Sequence, residues 1–120
     1  MAQFVQDAFG GPFPPPYTCL GVERGGRIIA GAILNHYEIT DIHVSAAGRG
    51  WNLPFMRALG KYVYGQLGCE RMTFVTERSD VIDYVQRMGG QIEGRMRNHF
   101  GPGRDATLLG VLREEYRYGK

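Results

Sequence analysis

Between residues 38 and 76 the chain reads EITDIHV, then a stretch with apolar residues at helical spacing, then RMTFVT. A strand, a helix and a second strand in that order close into a right-handed crossover with the strands side by side and parallel. Few arrangements of a short chain satisfy this unit, so it organises everything around it. Asn52 is a good N-cap for its helix, and Trp51 before it can pack on Met56 as a hydrophobic staple. Phe55, Met56, Leu59, Tyr62, Val63 and Leu67 then recur on one side until Gly68 ends the run.

The rest of the chain fits around that unit. Gln3 to Phe9 reads as two turns of helix, and GGPFPPP after it reads as a stiff extended connection. Tyr17 to Glu23 and Arg27 to Ile33 are β-branched segments joined by Arg24-Gly25-Gly26, a hairpin. In the third strand, Glu38 to Val44, alternation puts Glu38, Thr40, Ile42 and Val44 on one face and Ile39, Asp41 and His43 on the other. Ser79 or Asp80 caps a second helix, Val81 to Met88, which stops at Gly89-Gly90. Gln91 to Phe100 and Ala106 to Tyr116 form two antiparallel strands around GPGRD.

With 120 residues this is one domain, and 43% hydrophobic with 22% charged residues excludes a disordered chain. No apolar run reaches the roughly 20 residues that cross a bilayer, and the first residues lack a signal peptide's basic and apolar regions. The expectation is a cytoplasmic protein with no membrane partner. Cys19 and Cys69 have no metal or redox spacing and read as packed thiols, while His36, His43 and His99 show no metal-ligand spacing. Of the 14 basic residues only Lys61 and Lys120 are lysines, leaving 12 arginines. Arginine suits phosphate, but a GC-rich genome produces the same excess, so it identifies nothing by itself.

The segments IHVSAAGRG, LGCERMTFVT, VIDYVQRMGGQIEG and RNHFGPGRDATLLGVLREE, in that order, resemble the GCN5-related N-acetyltransferases, the GNAT superfamily. The overall pattern most resembles short acetyltransferase-like proteins often encoded by phages and prophages, which would place it in a host cytoplasm. The resemblance implies an α+β, α/β/α sandwich-like fold: a mixed, mostly antiparallel sheet with two splayed central parallel strands. It covers Tyr17 to Tyr116 as a single domain, with residues 1 to 16 in place of the family's longer N-terminal strand and helices.

The resemblance also implies a site and a co-substrate, acetyl-CoA. The backbone of Ile42, His43 and Val44 would pair with the pantetheine amides, and the turn of Arg49, Gly50, Trp51, Asn52 and Leu53 would cradle the pyrophosphate. Ser79 or Arg78 falls where the family carries an asparagine that contacts coenzyme A. The usual turn has small residues where Asn52 and Pro54 stand, and Pro54 offers no N–H. One charge-assisted bond fewer is a loss of roughly 1.5–3 kcal/mol.

Transfer to an amine needs a proton acceptor and often an acid for the departing thiolate. Glu38 is the first candidate base by family position, with Asp41 and His43 as a relay second. Tyr84 is the candidate acid, although it lies one residue before the family's tyrosine position, which is Val85 here. The implied function is an acyl-CoA-dependent N-acyltransferase whose acceptor amine is unknown. The shortened N-terminus leaves the acceptor side open, which suits a macromolecular acceptor and a homodimer. A catalytically inactive GNAT-fold phage or host-interaction protein is the alternative. A third reading is a nucleic-acid module using Arg71, Arg78, Arg87, Arg95 and Arg97.

Overall fold

A computed structural model describes residues 2–9, 11 and 16–118 of the chain. Its elements are α1 (Ala2–Phe9), β1 (Thr18–Arg24), β2 (Arg27–Asn35), β3 (Asp41–Gly48), α2 (Leu53–Gly60), a π-helical segment (Lys61–Gln66), β4 (Arg71–Thr76), α3 (Ser79–Arg87), β5 (Gln91–Met96) and β6 (Ala106–Leu112). The expected proline-rich connection falls mostly outside the described residues.

The six strands form one sheet in the order β1-β2-β3-β4-β6-β5. The crossover through α2 makes β3 and β4 parallel, and the other neighbours are antiparallel. Pairing between the two parallel strands covers only Asp41 to Val44 against Arg71 to Phe74. Beyond that, residues 45–48 pair with β2 alone and residues 75–76 with β6 alone. The central strands therefore splay, as expected, and the V opens toward the start of α2.

Three layers result. Ile42 and Val44 are buried in one cluster with Met56, Leu59 and Val63 below the crossover and with Val81, Val85 and Met88 of α3. On the opposite face α1 inserts Val5 against Ile33 and Ala47. Each such side chain fully removed from water contributes about 1.5–3 kcal/mol, so the helical layer carries most of the stability. The tyrosines close the C-terminal end. Tyr64 donates to the Val111 carbonyl at 2.7 Å, and Tyr116 donates to the carbonyl of Met56. Burial pushes both phenols well above the usual tyrosine range, so both stay protonated as donors.

Several element boundaries differ from the sequence reading. β6 stops at Leu112 because the chain turns there, with Glu115 and Tyr116 donating to the Leu112 carbonyl, so that Tyr116 enters the core instead of prolonging the strand. β5 ends at Met96. Trp51 stacks on Phe55, ring centroids 4.7 Å apart, so the staple uses the first helical aromatic as well as the wall shared with Met56. α3 begins at Ser79, so Arg78 occupies the cap position; Ser79 and Asp80 lie in its first turn. β3 starts at Asp41, and residues 36–40 form a tight loop in which His36 and Ile39 take positive φ.

Candidate functional site

The turn after β3 is built by Gly48 and Asn52. Gly48 has φ +90°, and a Cβ there would strike the backbone carbonyl of Ile29, so only glycine lets β3 leave the sheet so close to β2. The Arg49 N–H donates to that same carbonyl at 3.0 Å. Asn52 sits in extended geometry and its side chain accepts from the Phe55 N–H at 2.9 Å, starting α2 as expected. Among the described residues the N–H groups of Gly50, Trp51, Asn52 and Leu53 have no protein acceptor, and the Arg49 guanidinium has no carboxylate within 4.0 Å. Four free donors and an unpaired arginine at a helix start fit a phosphate.

An open groove of about 770 Å³ runs from this turn to the start of α3, lined by Arg49, Gly50, Trp51, Arg78, Ser79 and Tyr84 among others. Arg78 bridges its two walls, donating to the Gly48 carbonyl at 3.0 Å and to Asp80 at 2.7 Å. That bond from Arg78 is the main reason the Asp80 carboxyl lies below its usual range. Ser79 is exposed on the groove.

Inside the V, between sheet and helices, lies an apolar cavity of only about 20 Å³, lined by Val44, Ala46, Phe74 and Val85 among others. Trp51 and Tyr84 line both this cavity and the outer groove, so their rings form the partition between them. Tyr84 therefore turns toward the cleft, while Val85 at the family's tyrosine position is 1% exposed in the core. A helical step of about 100° separates the two side chains, so that Tyr84 reaches the outer groove while both line the cavity.

The backbone of residues 42–44 is already in the ladder to β4, so the strand edge open to a ligand is residues 45–48. This moves the expected pairing segment toward the turn. Glu38 lies in the exposed loop before β3, not on the strand, and among the described residues its carboxylate has no hydrogen-bond or ion-pair partner; its backbone forms the tight turn to Thr40 and Asp41. In that loop Ile39 holds φ +65° with 74% of its surface exposed, a costly conformation for a β-branched residue.

Asp41 and His43, by contrast, come together on the face opposite α2. His43 Nε2 lies 3.8 Å from Asp41 Oδ2, and the His36 ring meets the His43 ring edge-on at 5.2 Å. Asp41 accepts from the Thr73 hydroxyl at 2.7 Å, and Arg71 donates to Thr73 at 3.2 Å and to Glu93 at 2.7 Å. Arg71 is thereby fixed as a cation, its pKa raised first by the Glu93 hydrogen bond. Sequence reasoning missed Thr73 and Glu93, because nothing in RMTFVT or QIEG marks them until β4 and β5 flank β6. His43 adjoins Val44, the last paired residue, so the imidazole stands where the V closes.

Four of the five arginines of the nucleic-acid reading are ion-paired. Arg71, Arg78, Arg87 and Arg95 each sit within 4.0 Å of a carboxylate, which among the described residues leaves Arg97 alone of the five without one. Among the described residues no helix is long and apolar enough to cross a membrane, and Cys19 and Cys69 are free thiols.

A mixed sheet of six strands whose two central parallel strands part above a helix-start turn, covered by helices, is an α+β architecture of a defined class. The chain has the GNAT acetyltransferase fold. A probable acetyltransferase superposes with TM-score 0.69 at 16% identity, covering 80% of this chain and 61% of its own. A variant of the spermidine N-acetyltransferase SpeG from Vibrio cholerae gives 0.67 at 12% identity, with 82% and 66% covered. Aminoglycoside 6'-acetyltransferase type Ii gives 0.63 at 13%, with 82% and 70% covered. The chain thus spans about three-fifths of the length of the first of these. No family model matches the chain, and the search of curated proteins found no match.

Proposed function

We propose that this chain is an N-acetyltransferase that takes acetyl-CoA in the groove between the 48–53 turn and the start of α3. The observation that carries the reading is the coincidence of three features along β3: a free edge at residues 45–48, unpaired donors with Arg49 beyond it, and the Asp41–His43 pair at its closed end. Two neighbours are named for acetylation of amine-bearing acceptors, spermidine and aminoglycoside, which agrees with this chemistry. Acetyl-CoA supplies the activated acyl group; the chain's own residues bind, orient and move the proton. Free N–H groups and Arg49 hold phosphate, and the edge at 45–48 offers strand-like hydrogen bonds to an extended amide chain.

His43 accepts the proton of the acceptor amine, directly or through one water, and Asp41 stabilises the imidazolium that results. Thr73 and Arg71 hold Asp41 in place from β4. Tyr84, at the cleft partition, is the donor for the leaving sulfur. The acceptor approaches over the sheet face that carries Asp41 and His43, where the strained 36–40 loop stands beside the pair. That face is open beyond α1 and admits a macromolecular chain or a second copy of the protein.

Calorimetry with acetyl-CoA tests the reading. Binding is expected for the wild type, and Arg49→Ala should weaken it at least tenfold, the scale of one charge-assisted contact of about 1.5–3 kcal/mol. Absence of binding at millimolar ligand would instead favour the non-catalytic GNAT-fold reading, for which the 20 Å³ cavity is the specific support.

Trp51 provides a second, directional check. Its indole must leave the partition for a pantetheine arm to pass, which sacrifices an aromatic pair of about 0.5–1.5 kcal/mol with Phe55. Trp51→Ala should therefore bind acetyl-CoA up to about tenfold more tightly while lowering thermal stability. Weaker binding by a folded Trp51→Ala protein would show that the indole supports the ligand instead of obstructing it.

A further inference from the structure

A second groove, larger than the one beside the 48–53 turn, lies away from the candidate active site and shares no residue with it. About 860 Å³ in volume, it is walled by α2, the π-helical segment and the turn after β6, and Arg57, Lys61, Gly65, Arg113, Glu114 and Tyr118 are among the residues that line it. Its three cations gather in one groove without a carboxylate partner, as five others of the chain, Arg24, Arg27, Arg49, Arg97 and Arg117, also stand without one among the described residues. Arg71, Arg78, Arg87, Arg95 and Arg104 each have a carboxylate within 4.0 Å, whereas among the described residues Arg57, Lys61 and Arg113 have none. Arg57 and Lys61 are four residues apart and lie on one side of the helical run, where like charges destabilise a helix by about 0.2–0.5 kcal/mol.

The helical wall has a second peculiarity. Gly60 and Gly65 both lie inside it, and a glycine within a helix costs about 1 kcal/mol relative to alanine. Gly60 has a packing reason, since a Cβ there would run into the Tyr116 ring. Gly65 has none: a Cβ would meet only the Lys61 Cγ at 4.0 Å, an ordinary contact. It also belongs to the π-helical segment, a rare geometry that concentrates at functional sites. An exposed glycine with free space, beside three unneutralised cations, keeps the groove open where a ligand would lie. Tyr118, half-buried and packed edge-on against Tyr116 with centroids 5.9 Å apart, adds a ring to the rim.

From these features we infer that the groove binds the phosphates of nucleotides, either free or joined in a single strand. Cations matched to phosphates, with an aromatic ring beside them, are the elements of single-strand recognition. Among the described residues that line the groove Glu114 is the one carboxylate, against three cations.

The test is fluorescence anisotropy with a labelled ten-nucleotide single-stranded RNA, and calorimetry with ATP, both between 50 and 200 mM salt. Three phosphate contacts predict a log–log salt slope of about −2 for the RNA. The double variant Arg57→Glu/Lys61→Glu should lose at least a hundredfold in affinity. Gly65→Leu should lose at least tenfold while melting no lower than the wild type, because leucine is the better helix former. Loss of binding without loss of stability is a result that a purely structural role would not produce. Binding of RNA alone assigns the groove to a strand, and binding of ATP alone assigns it to a free nucleotide. Silence from both at 50 mM salt overturns the inference. So does equal binding of poly-glutamate, or binding that survives both groove variants and disappears in Arg49→Ala.

Discussion

Replacing His43 with alanine is expected to lower acetyl transfer by about 10²–10⁴ while leaving acetyl-CoA affinity nearly unchanged, the signature of a lost general base. The imidazole is the group that faces the open side of the sheet at the closed end of the V, with Asp41 Oδ2 3.8 Å from its Nε2. Asp41→Asn should give a smaller loss, since it removes the partner of the imidazolium but not the proton acceptor. Glu38→Gln should stay close to the wild type, because that carboxylate lies in the preceding loop. The measurement is turnover with a surrogate amine or peptide for each folded variant. Equal rates in all four proteins would exclude a base on this strand, and a large loss in Glu38→Gln alone would return the role to that residue.

Gly89→Ala is the substitution expected to damage the fold most. Gly89 ends α3 with φ +111°, and a Cβ there would collide with the backbone carbonyl of Glu115. The conformation costs an alanine about 1–3 kcal/mol, and an unyielding backbone contact adds about 1–3 more. The sum is a large part of the 5–15 kcal/mol that typically holds such a domain together. Urea unfolding should show a midpoint far below that of the wild type, or no folded baseline. Gly103→Ala isolates the conformational share, since Gly103 has φ +75° and open space around it. Its loss should be about 1 kcal/mol, the scale of a left-handed residue without a clash. Equal losses at the two positions would mean that the Glu115 carbonyl moves aside.

The same two regions show what local sequence reading can and cannot reach. Asn52 before a helical run, Gly68 and Gly89 at helix ends, and the paired glycines of the first hairpin act through their own backbone, so their positions announce the elements they bound. β3 is different. EITDIHV alternates well enough to look like a strand from Glu38, yet the chain at 36–40 folds into a loop that is held by Glu38 N–H to the Asp41 carbonyl at 2.9 Å. At its other end Ser-Ala-Ala-Gly has little β preference and becomes strand because β2 runs opposite it. Pairing partners that come from elsewhere in the chain override the local pattern at both ends.

For the candidate site the division follows the same physics. Arg49, the helix start and the Asp41–His43 spacing were legible, since a turn and an alternating strand place them by neighbouring residues alone. Thr73 and Glu93 reach Asp41 and Arg71 only across a sheet, and Tyr84 faces the cleft through a helical rotation that one position decides. The sequence by itself determined the hairpins and a positively charged turn at the start of α2, because each depends on contacts within a few residues, and the parallel crossover, because a strand, a helix and a strand in that order close with one favoured hand. Only the tertiary structure decided where β3 and β4 part, that Trp51 and Tyr84 close the cleft, and which arginines are neutralised, because each depends on segments far apart in sequence meeting in space.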